Sequence, residues 1–117
     1  MEESEKNTEY TVMCTYFVIK GEEARFEELL EKHWPTLRKL NLVTEKPAEI
    51  YKREAAEGNC YIEIMTWVRP DAAQEAYQKP EIKEIWGPLF DDLTEERDGR
   101  PAIEYPQVKR MKMSFSL

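Results

Sequence analysis

The sequence is poor in several features that mark particular classes of protein. It has one histidine and two cysteines in 117 residues, so we expect neither a zinc site with four Cys or His ligands nor a fold held by disulfides. Cys14 and Cys60 both lie in segments with a strand-like pattern, where a buried free thiol is the usual state. A redox or metal-binding role for them is the alternative.

Positive charge and long apolar runs are also scarce. The chain has 17 Lys and Arg against 24 Asp and Glu, and its net charge of −7 argues against binding a phosphate backbone. No apolar run approaches the roughly 20 residues that a membrane-spanning helix requires. The acidic N-terminal residues lack the apolar core of a signal peptide. We therefore expect a cytoplasmic protein that binds neither nucleic acid nor membranes.

What the sequence does contain is enough apolar material for one hydrophobic core. Hydrophobic residues make up 41% of the chain and charged residues 35%, which is typical of a globular protein with a charged surface. A chain of this length forms one domain, because two separate cores would each be too small. We expect a flexible acidic tail over residues 1–9 and a single domain over residues 10–117.

The hydrophobic pattern switches several times between the strand and helix periods. It predicts strands over residues 10–20, 49–54, 60–68 and 109–117, and helices over residues 22–40, 71–79 and 80–93. Pro35 predicts a kink or break in the first helix near Trp34. This order predicts an α+β, ferredoxin-like β-α-β-β-α-β fold with a four-stranded antiparallel sheet.

Alternation along the strands predicts which residues share a face of this sheet. We expect one face to point towards the helices with Phe17, Ile19, Ile62 and Ile64. The opposite face then carries Cys14, Tyr16, Val18, Tyr61, Glu63, Met65 and Trp67. Such a face is too apolar to lie in water, because monomers rarely expose large apolar patches. The pattern therefore predicts a homodimer.

The order of elements also carries a resemblance to a known group of proteins. Together with His33 and Trp34 in the first helix, Trp67 at the end of the third strand and the segment over residues 80–106, it resembles the dimeric α+β barrel superfamily. Within that superfamily it resembles in particular the small antibiotic-biosynthesis-monooxygenase-like members. The resemblance covers residues 10–109 and implies a cavity between the sheet and the helices of each protomer. Such relatives oxidise quinols or polyketide aromatics without metal or flavin, so no cofactor is expected.

Haem-degrading proteins of the same superfamily provide a second comparison. They use a Trp on a strand, an Asn on the first strand and a His from the later helix. Trp67 matches the first of these, but here the first strand has no Asn and the later helices have no His. The resemblance therefore argues against haem degradation.

Two ionisable residues are candidates for catalysis. His33 is the only imidazole in the chain, and imidazole is the side chain used most often as a general base. Its structural alternative is a histidine at the edge of the core, bonded to a backbone carbonyl freed by Pro35. Glu63 falls within an apolar strand face, where a carboxylate must be paired or titrate abnormally. Its alternatives are a structural pair with Arg53 or exposure at the mouth of the barrel.

Four aromatic residues are candidates for binding a ligand. Tyr16 and Trp67 can stack on a flat ring and donate one hydrogen bond each, and Tyr51 and Trp86 are further candidates. The alternative for Tyr16 and Trp67 is packing in the core or at a dimer interface.

These observations lead to two functional hypotheses of different kinds. The first is a cofactor-independent monooxygenase that acts on a small aromatic or quinol-like substrate. The second is a protein on the same dimeric scaffold that binds or senses a small molecule without catalysis. A purely structural role is a third reading, because a fold does not determine a function.

Overall fold

The computed structural model describes residues 9–116 of the chain. The predicted tail over residues 1–9 lies outside this range except for its last residue. Within residues 9–116 the elements are β1 (Tyr10–Phe17), α1 (Glu23–Lys39), β2 (Glu49–Arg53), β3 (Cys60–Trp67), α2 (Ala72–Ala76), α3 (Pro80–Asp91) and β4 (Ile103–Glu104). No helix in this described part is long and apolar enough to cross a membrane.

The strands form one antiparallel sheet in the order β2-β3-β1-β4. The long central pair, β1 with β3, is flanked by β2 on one side and by the short β4 on the other. This is the arrangement that two β-α-β halves produce, and the predicted α+β fold with a four-stranded antiparallel sheet is confirmed.

Helix α1 forms because its apolar residues recur at steps of three and four. Phe26, Leu30, His33 and Leu37 are buried along one side of it. Pro35 lies inside this helix and is exposed, and the helix continues for a further turn. Of the predicted kink or break near Trp34, the break is absent, because one helix spans both Trp34 and Pro35. Pro35 lacks the N–H that would bond to the carbonyl of Glu31, which is also exposed and can bind water instead.

The predicted assignment of sheet faces is reversed in the structure. Tyr16 and Tyr61 pack their rings against Phe26 of α1, so their face of the sheet points towards the helices. The buried inner face carries Val12, Cys14, Tyr16, Tyr61, Glu63, Met65 and Trp67. Ile62 and Ile64 instead lie on the outer face and are only half-buried. Alternation identified the two sets of side chains correctly, but it contains no information about which set faces the helices, and the set that we expected there is the outer one.

The last strand also differs from its prediction. The pattern over residues 109–117 indicated a strand, but β4 is Ile103–Glu104 and residues 109–116 have no regular structure. The chain follows β1 only as far as Val108, whose N–H donates to the carbonyl of Thr11. Beyond that point Met111, Met113 and Phe115 alternate along an exposed segment that has no strand beside it.

Candidate functional site

A cavity of about 590 Å³ lies between the inner face of the sheet and the helices. Its size is in the range of small-molecule sites. The sheet contributes Tyr16 and Trp67, and the helices contribute His33 and Trp86. Three exposed aromatic side chains also line it, namely Tyr77, Phe90 and Tyr105. The cavity implied by the resemblance is thus present, and its walls are mostly apolar and aromatic.

Glu63 lies directly behind this cavity. Its side chain is 0% exposed, on the inner face of β3 opposite Cys14 on β1 and Ile50 on β2. The Tyr16 hydroxyl donates to Glu63 Oε1 over 2.7 Å, and His33 Nδ1 lies 3.1 Å from both carboxylate oxygens. Because all of these partners are on the core side, neither of the two alternatives for Glu63, a pair with Arg53 or exposure at a barrel mouth, occurs.

The second ring nitrogen of His33 is also occupied. The indole Nε1–H of Trp86 donates to His33 Nε2 over 2.8 Å. An indole nitrogen only donates, so Nε2 must carry a lone pair and the proton of the neutral ring must be on Nδ1. His33 therefore donates from Nδ1 to Glu63. The predicted alternative, a bond to a backbone carbonyl freed by Pro35, is not the one formed.

These contacts join four side chains into one buried hydrogen-bonded chain, Tyr16–Glu63–His33–Trp86. Its two outer members donate inwards, and its central carboxylate accepts from both sides. Such a chain fixes the orientation of the imidazole as well as its tautomer. It places an unprotonated ring nitrogen at the cavity wall with a carboxylate behind it.

The electrostatics of this chain favour an ionised Glu63. Burial raises the pKa of Glu63, but the positive charge that His33 carries when it is protonated and the hydrogen bonds from His33 and Tyr16 outweigh burial and hold this pKa below its ordinary value. Burial and the neighbouring Glu63 charge raise the pKa of Tyr16 well above its ordinary value. Tyr16 therefore stays a hydrogen-bond donor throughout the neutral range.

Cys14 lies in the same environment, and its thiol is unreactive near neutral pH. Burial, followed by the charge of Glu63, raises the pKa of its thiol to about 12. The thiolate is the reactive form, so Cys14 is unsuited to act as a nucleophile near neutral pH. Cys14 and Cys60 are both free thiols. Within residues 9–116 no group of three or more His, Cys, Asp and Glu side chains is arranged to hold a metal ion.

The structure thus gathers five of the six residues proposed from the sequence. His33, Tyr16, Trp67 and Trp86 line the cavity, and Glu63 contacts two of them from behind. Tyr51 does not join them. It pairs with Ile62 and so lies on the outer face, where it is 57% exposed.

Several lining residues were not anticipated. Tyr77 and Phe90 flank Trp86 with ring centroids 6.2 and 6.4 Å away, and Tyr105 comes from the segment after β4. Tyr77 follows the short helix α2, and the helical pattern gave no sign that it turns back towards Trp86. Phe90 lies four residues after Trp86 on α3, so helical spacing brings those two rings together, whereas the position of Tyr77 depends on the tertiary fold.

Solved structures with the same architecture come from several bacteria. A variant of SnoaB, a cofactor-independent oxygenase from Streptomyces nogalater, aligns over 91% of this chain and 96% of its own, with a TM-score of 0.65 and 19% identity. A protein provisionally named antibiotic biosynthesis monooxygenase, from Bacteroides thetaiotaomicron, aligns over 94% and 96% with a TM-score of 0.67 and 8% identity. The chain has the antibiotic-biosynthesis-monooxygenase-like fold.

The same fold extends to a protein of a different description. An uncharacterised NIPSNAP-like domain protein from Burkholderia xenovorans aligns over 95% of this chain and 92% of its own, with a TM-score of 0.62 and 10% identity. No protein-family model and no curated protein sequence matches the chain. At these identities the likeness establishes the monooxygenase-like fold, and the chemistry must be argued from the residues of the chain itself.

Proposed function

We propose that the protein is a cofactor-independent monooxygenase that acts on a small aromatic, quinol-like substrate. The observation that carries this proposal is the buried chain Tyr16–Glu63–His33–Trp86 at the wall of an aromatic cavity. SnoaB, which shares the fold, is a cofactor-independent oxygenase, and this supports the same class of reaction here.

His33 is the proposed general base. Nε2 removes a proton from a hydroxyl group of the substrate, while Nδ1–H stays bonded to Glu63. The Glu63 carboxylate then stabilises the imidazolium that forms, as the acid of a catalytic triad does. Because Glu63 lies behind His33 and does not line the cavity, it is a positioning residue in this scheme.

Dioxygen is the proposed oxidant. The deprotonated, electron-rich ring gives electrons to dioxygen and forms a carbon–oxygen bond as the O–O bond order falls. The resulting peroxide takes the proton back from His33. It then loses water to leave a carbonyl group, so one oxygen atom enters the product and the other leaves as water. The aromatic side chains of the cavity hold the flat substrate by stacking.

Oxygen uptake with 1,4-dihydroxynaphthalene tests this proposal. We expect His33→Gln to lower kcat/KM by at least about 100-fold, as loss of a general base does, and Glu63→Gln to lower it by a smaller factor. Lys83→Gln, an exposed substitution on α3, serves as the control and keeps the wild-type rate. Equal rates in wild type and His33→Gln, with both proteins folded, would rule out His33 as the base.

One observation favours the second function, binding without catalysis. The lone pair of His33 Nε2 is already engaged by Trp86, so the imidazole is not a free base in this arrangement. A protein that only binds or senses an aromatic ligand would show a higher melting temperature with that ligand and no oxygen uptake. The two measurements together separate the two functions.

We also propose that the protein works as a homodimer. The outer face of the sheet carries Ile62, Ile64 and Met13, all half-buried in the single chain, and the exposed ring of Tyr51. A second copy that lays its own outer face against this surface would cover it.

A further inference from the structure

The Trp86 indole contacts His33 at the wall of the cavity, which both residues line. Its indole N–H is bonded to His33 Nε2, and its ring lies 6.1 to 6.4 Å, between centroids, from His33, Trp67, Tyr77 and Phe90. Trp86 itself is half-buried and lines the cavity. A ligand that forms a hydrogen bond with His33 Nε2 must therefore displace this indole N–H.

The hydrogen-bonding capacity of His33 Nε2 decides what such a ligand must bring. Nε2 has one lone pair, which the Trp86 indole and a ligand cannot both use fully. Leaving a buried acceptor without a donor is costly, so a ligand that displaces the indole must replace its N–H. A hydroxyl group can do so. An ether oxygen or a carboxylate has no hydrogen to donate to His33 Nε2, because it is itself only an acceptor.

We propose that Trp86 is a specificity-determining residue. On binding, the hydroxyl group of the ligand takes over His33 Nε2 from the Trp86 indole, and this exchange selects aromatic molecules that carry a free hydroxyl group over their methyl ethers. The inference rests on the proposed function in taking the cavity as the ligand site. It does not require that the bound molecule be oxidised.

The surroundings of Trp86 allow this exchange. Two of the rings packed against the indole, Tyr77 and Phe90, are themselves exposed at the edge of the cavity. His33, by contrast, is fully enclosed and held by Glu63 at its other nitrogen. The indole is therefore the partner that moves, and the imidazole is the one that stays in place.

The exchange also bears on proton transfer. Once Nε2 has accepted a proton, it becomes a donor and faces the indole donor of Trp86, so their hydrogen bond cannot persist. A ligand hydroxyl group that has given up its proton is an acceptor and pairs well with the new Nε2–H. Displacement of Trp86 thus precedes any proton abstraction by His33.

Binding of 2-naphthol and 2-methoxynaphthalene to the whole protein tests this inference. The two compounds share one ring system, and 2-methoxynaphthalene has a methyl group in place of the hydroxyl hydrogen and therefore no hydrogen-bond donor. By calorimetry we expect 2-naphthol to bind wild type roughly tenfold more tightly than the ether. In a ¹⁵N–¹H spectrum the Trp86 indole signal, assigned by its absence from Trp86→Phe, is expected to shift when 2-naphthol is added.

Two variants sharpen the test. Trp86→Phe keeps an aromatic ring but has no donor to displace, so its affinity for 2-naphthol should rise severalfold. Trp34→Phe is the matched control, because the Trp34 indole N–H has no hydrogen-bond partner within the described residues and Trp34 does not line the cavity. It should keep the wild-type preference. If Trp86→Phe fails to fold, the wild-type spectra and affinities still decide.

Equal affinities for the two compounds, an unmoved Trp86 signal on saturation with 2-naphthol, or no binding of either compound would each overturn the inference. These outcomes are distinct from failure of the proposed oxygenase. Tighter binding of 2-naphthol than of the ether, without oxygen uptake, would reject the oxygenase and support the role of Trp86. Oxygen uptake with equal binding of the two compounds would support the oxygenase and reject the role of Trp86.

Discussion

Glu63 shows how a charged residue can belong to a core. Its carboxylate is fully buried but accepts hydrogen bonds from Tyr16 and His33, so burial leaves it paired. Removing either donor while leaving the carboxylate in place would expose the full cost of burying a charge. The hydrogen bond from His33 that allows Glu63 to be buried also requires the proton of the neutral His33 ring to be on Nδ1.

The lowered pKa of Glu63 predicts a specific dependence of stability on pH. A group whose pKa is lower in the folded than in the unfolded protein adds stability above its unfolded pKa, and that contribution is lost as the pH falls through the folded value. The ordinary value for Glu is 4.5, so wild type should lose this contribution progressively below about pH 4.5. Urea unfolding at a series of pH values measures it.

Glu63→Gln is the comparison for this prediction. At neutral pH we expect it to be less stable than wild type by roughly 2 kcal/mol, because the amide cannot accept well from both donors. The difference between the two proteins should narrow as the pH falls from 5 to 3. A difference that stays constant over that range would mean that Glu63 is not the ionised acceptor described above.

Tyr16 and Glu63 also show what the sequence can and cannot reveal at this scale. Strand alternation places them on one face, and a carboxylate among apolar residues marks an unusual site. Alternation has no information about partners 30 or 47 positions away along the chain, such as His33 for Glu63 or Glu63 for Tyr16. The hydrogen-bonded chain therefore could be seen only in the structure, although the sequence had singled out all four of its members.

Helices α1 and α3 each contain a proline inside the helix. Each of these prolines lies two residues after a member of the hydrogen-bonded chain, Pro35 after His33 and Pro88 after Trp86. Each proline removes one backbone hydrogen bond from its helix. The local pattern of α1 therefore argues for a break, and packing of its apolar stripe on the sheet keeps the helix continuous.

Pro35→Ala tests this explanation of α1. Proline is about 3 kcal/mol less favourable than alanine inside a helix, and part of that difference is offset by the greater entropy of the unfolded alanine chain. Pro35 is exposed, so the substitution disturbs no core contact. We expect the free energy of unfolding to increase by about 2 kcal/mol in urea titrations.

A control for this change is Pro47→Ala, because Pro47 is exposed and precedes β2 outside any helix. It should give no comparable gain. A lower free energy of unfolding in Pro35→Ala would contradict this explanation. It would mean that the backbone at this position is distorted in a way that favours proline over alanine.

The segment after α3 shows where local pattern fails for an element. Met111, Met113 and Phe115 alternate as a strand would, but a strand forms only where a neighbouring edge is available. Ile103–Glu104 and Gln107 already lie along that edge of β1. Alternation shows which side chains share a face. It contains no information about whether the edge of a neighbouring strand is free to pair.

For the whole molecule, the reversed faces change the reason for expecting a dimer. The outer face is less aromatic than the one first expected to need a partner, but it still presents Ile62, Ile64 and Met13 next to the exposed Tyr51. Ile64→Lys places a charge on this surface. We expect this variant to stay folded and to be monomeric by native mass spectrometry, where wild type is dimeric.

Ile50→Lys is the matched control for the dimer. Ile50 lies on the neighbouring strand β2, but it pairs with Glu63 and so points to the helix side of the sheet. At 45% exposure it tolerates a charged side chain, and the variant should remain a dimer. A monomeric wild type, or an Ile64→Lys protein as dimeric as wild type, would contradict the assignment of this interface.

The proposed chemistry depends on which nitrogen of one imidazole carries a proton, and this can be observed directly. His33 is the only histidine, so ¹⁵N labelling of histidine gives the signals of this one ring. At neutral pH we expect Nδ1 to carry a proton and Nε2 to carry none, with Nε2 accepting from Trp86. A proton on Nε2, whether in the other neutral tautomer or in the imidazolium, would contradict the hydrogen-bonded chain and the chemistry proposed from it.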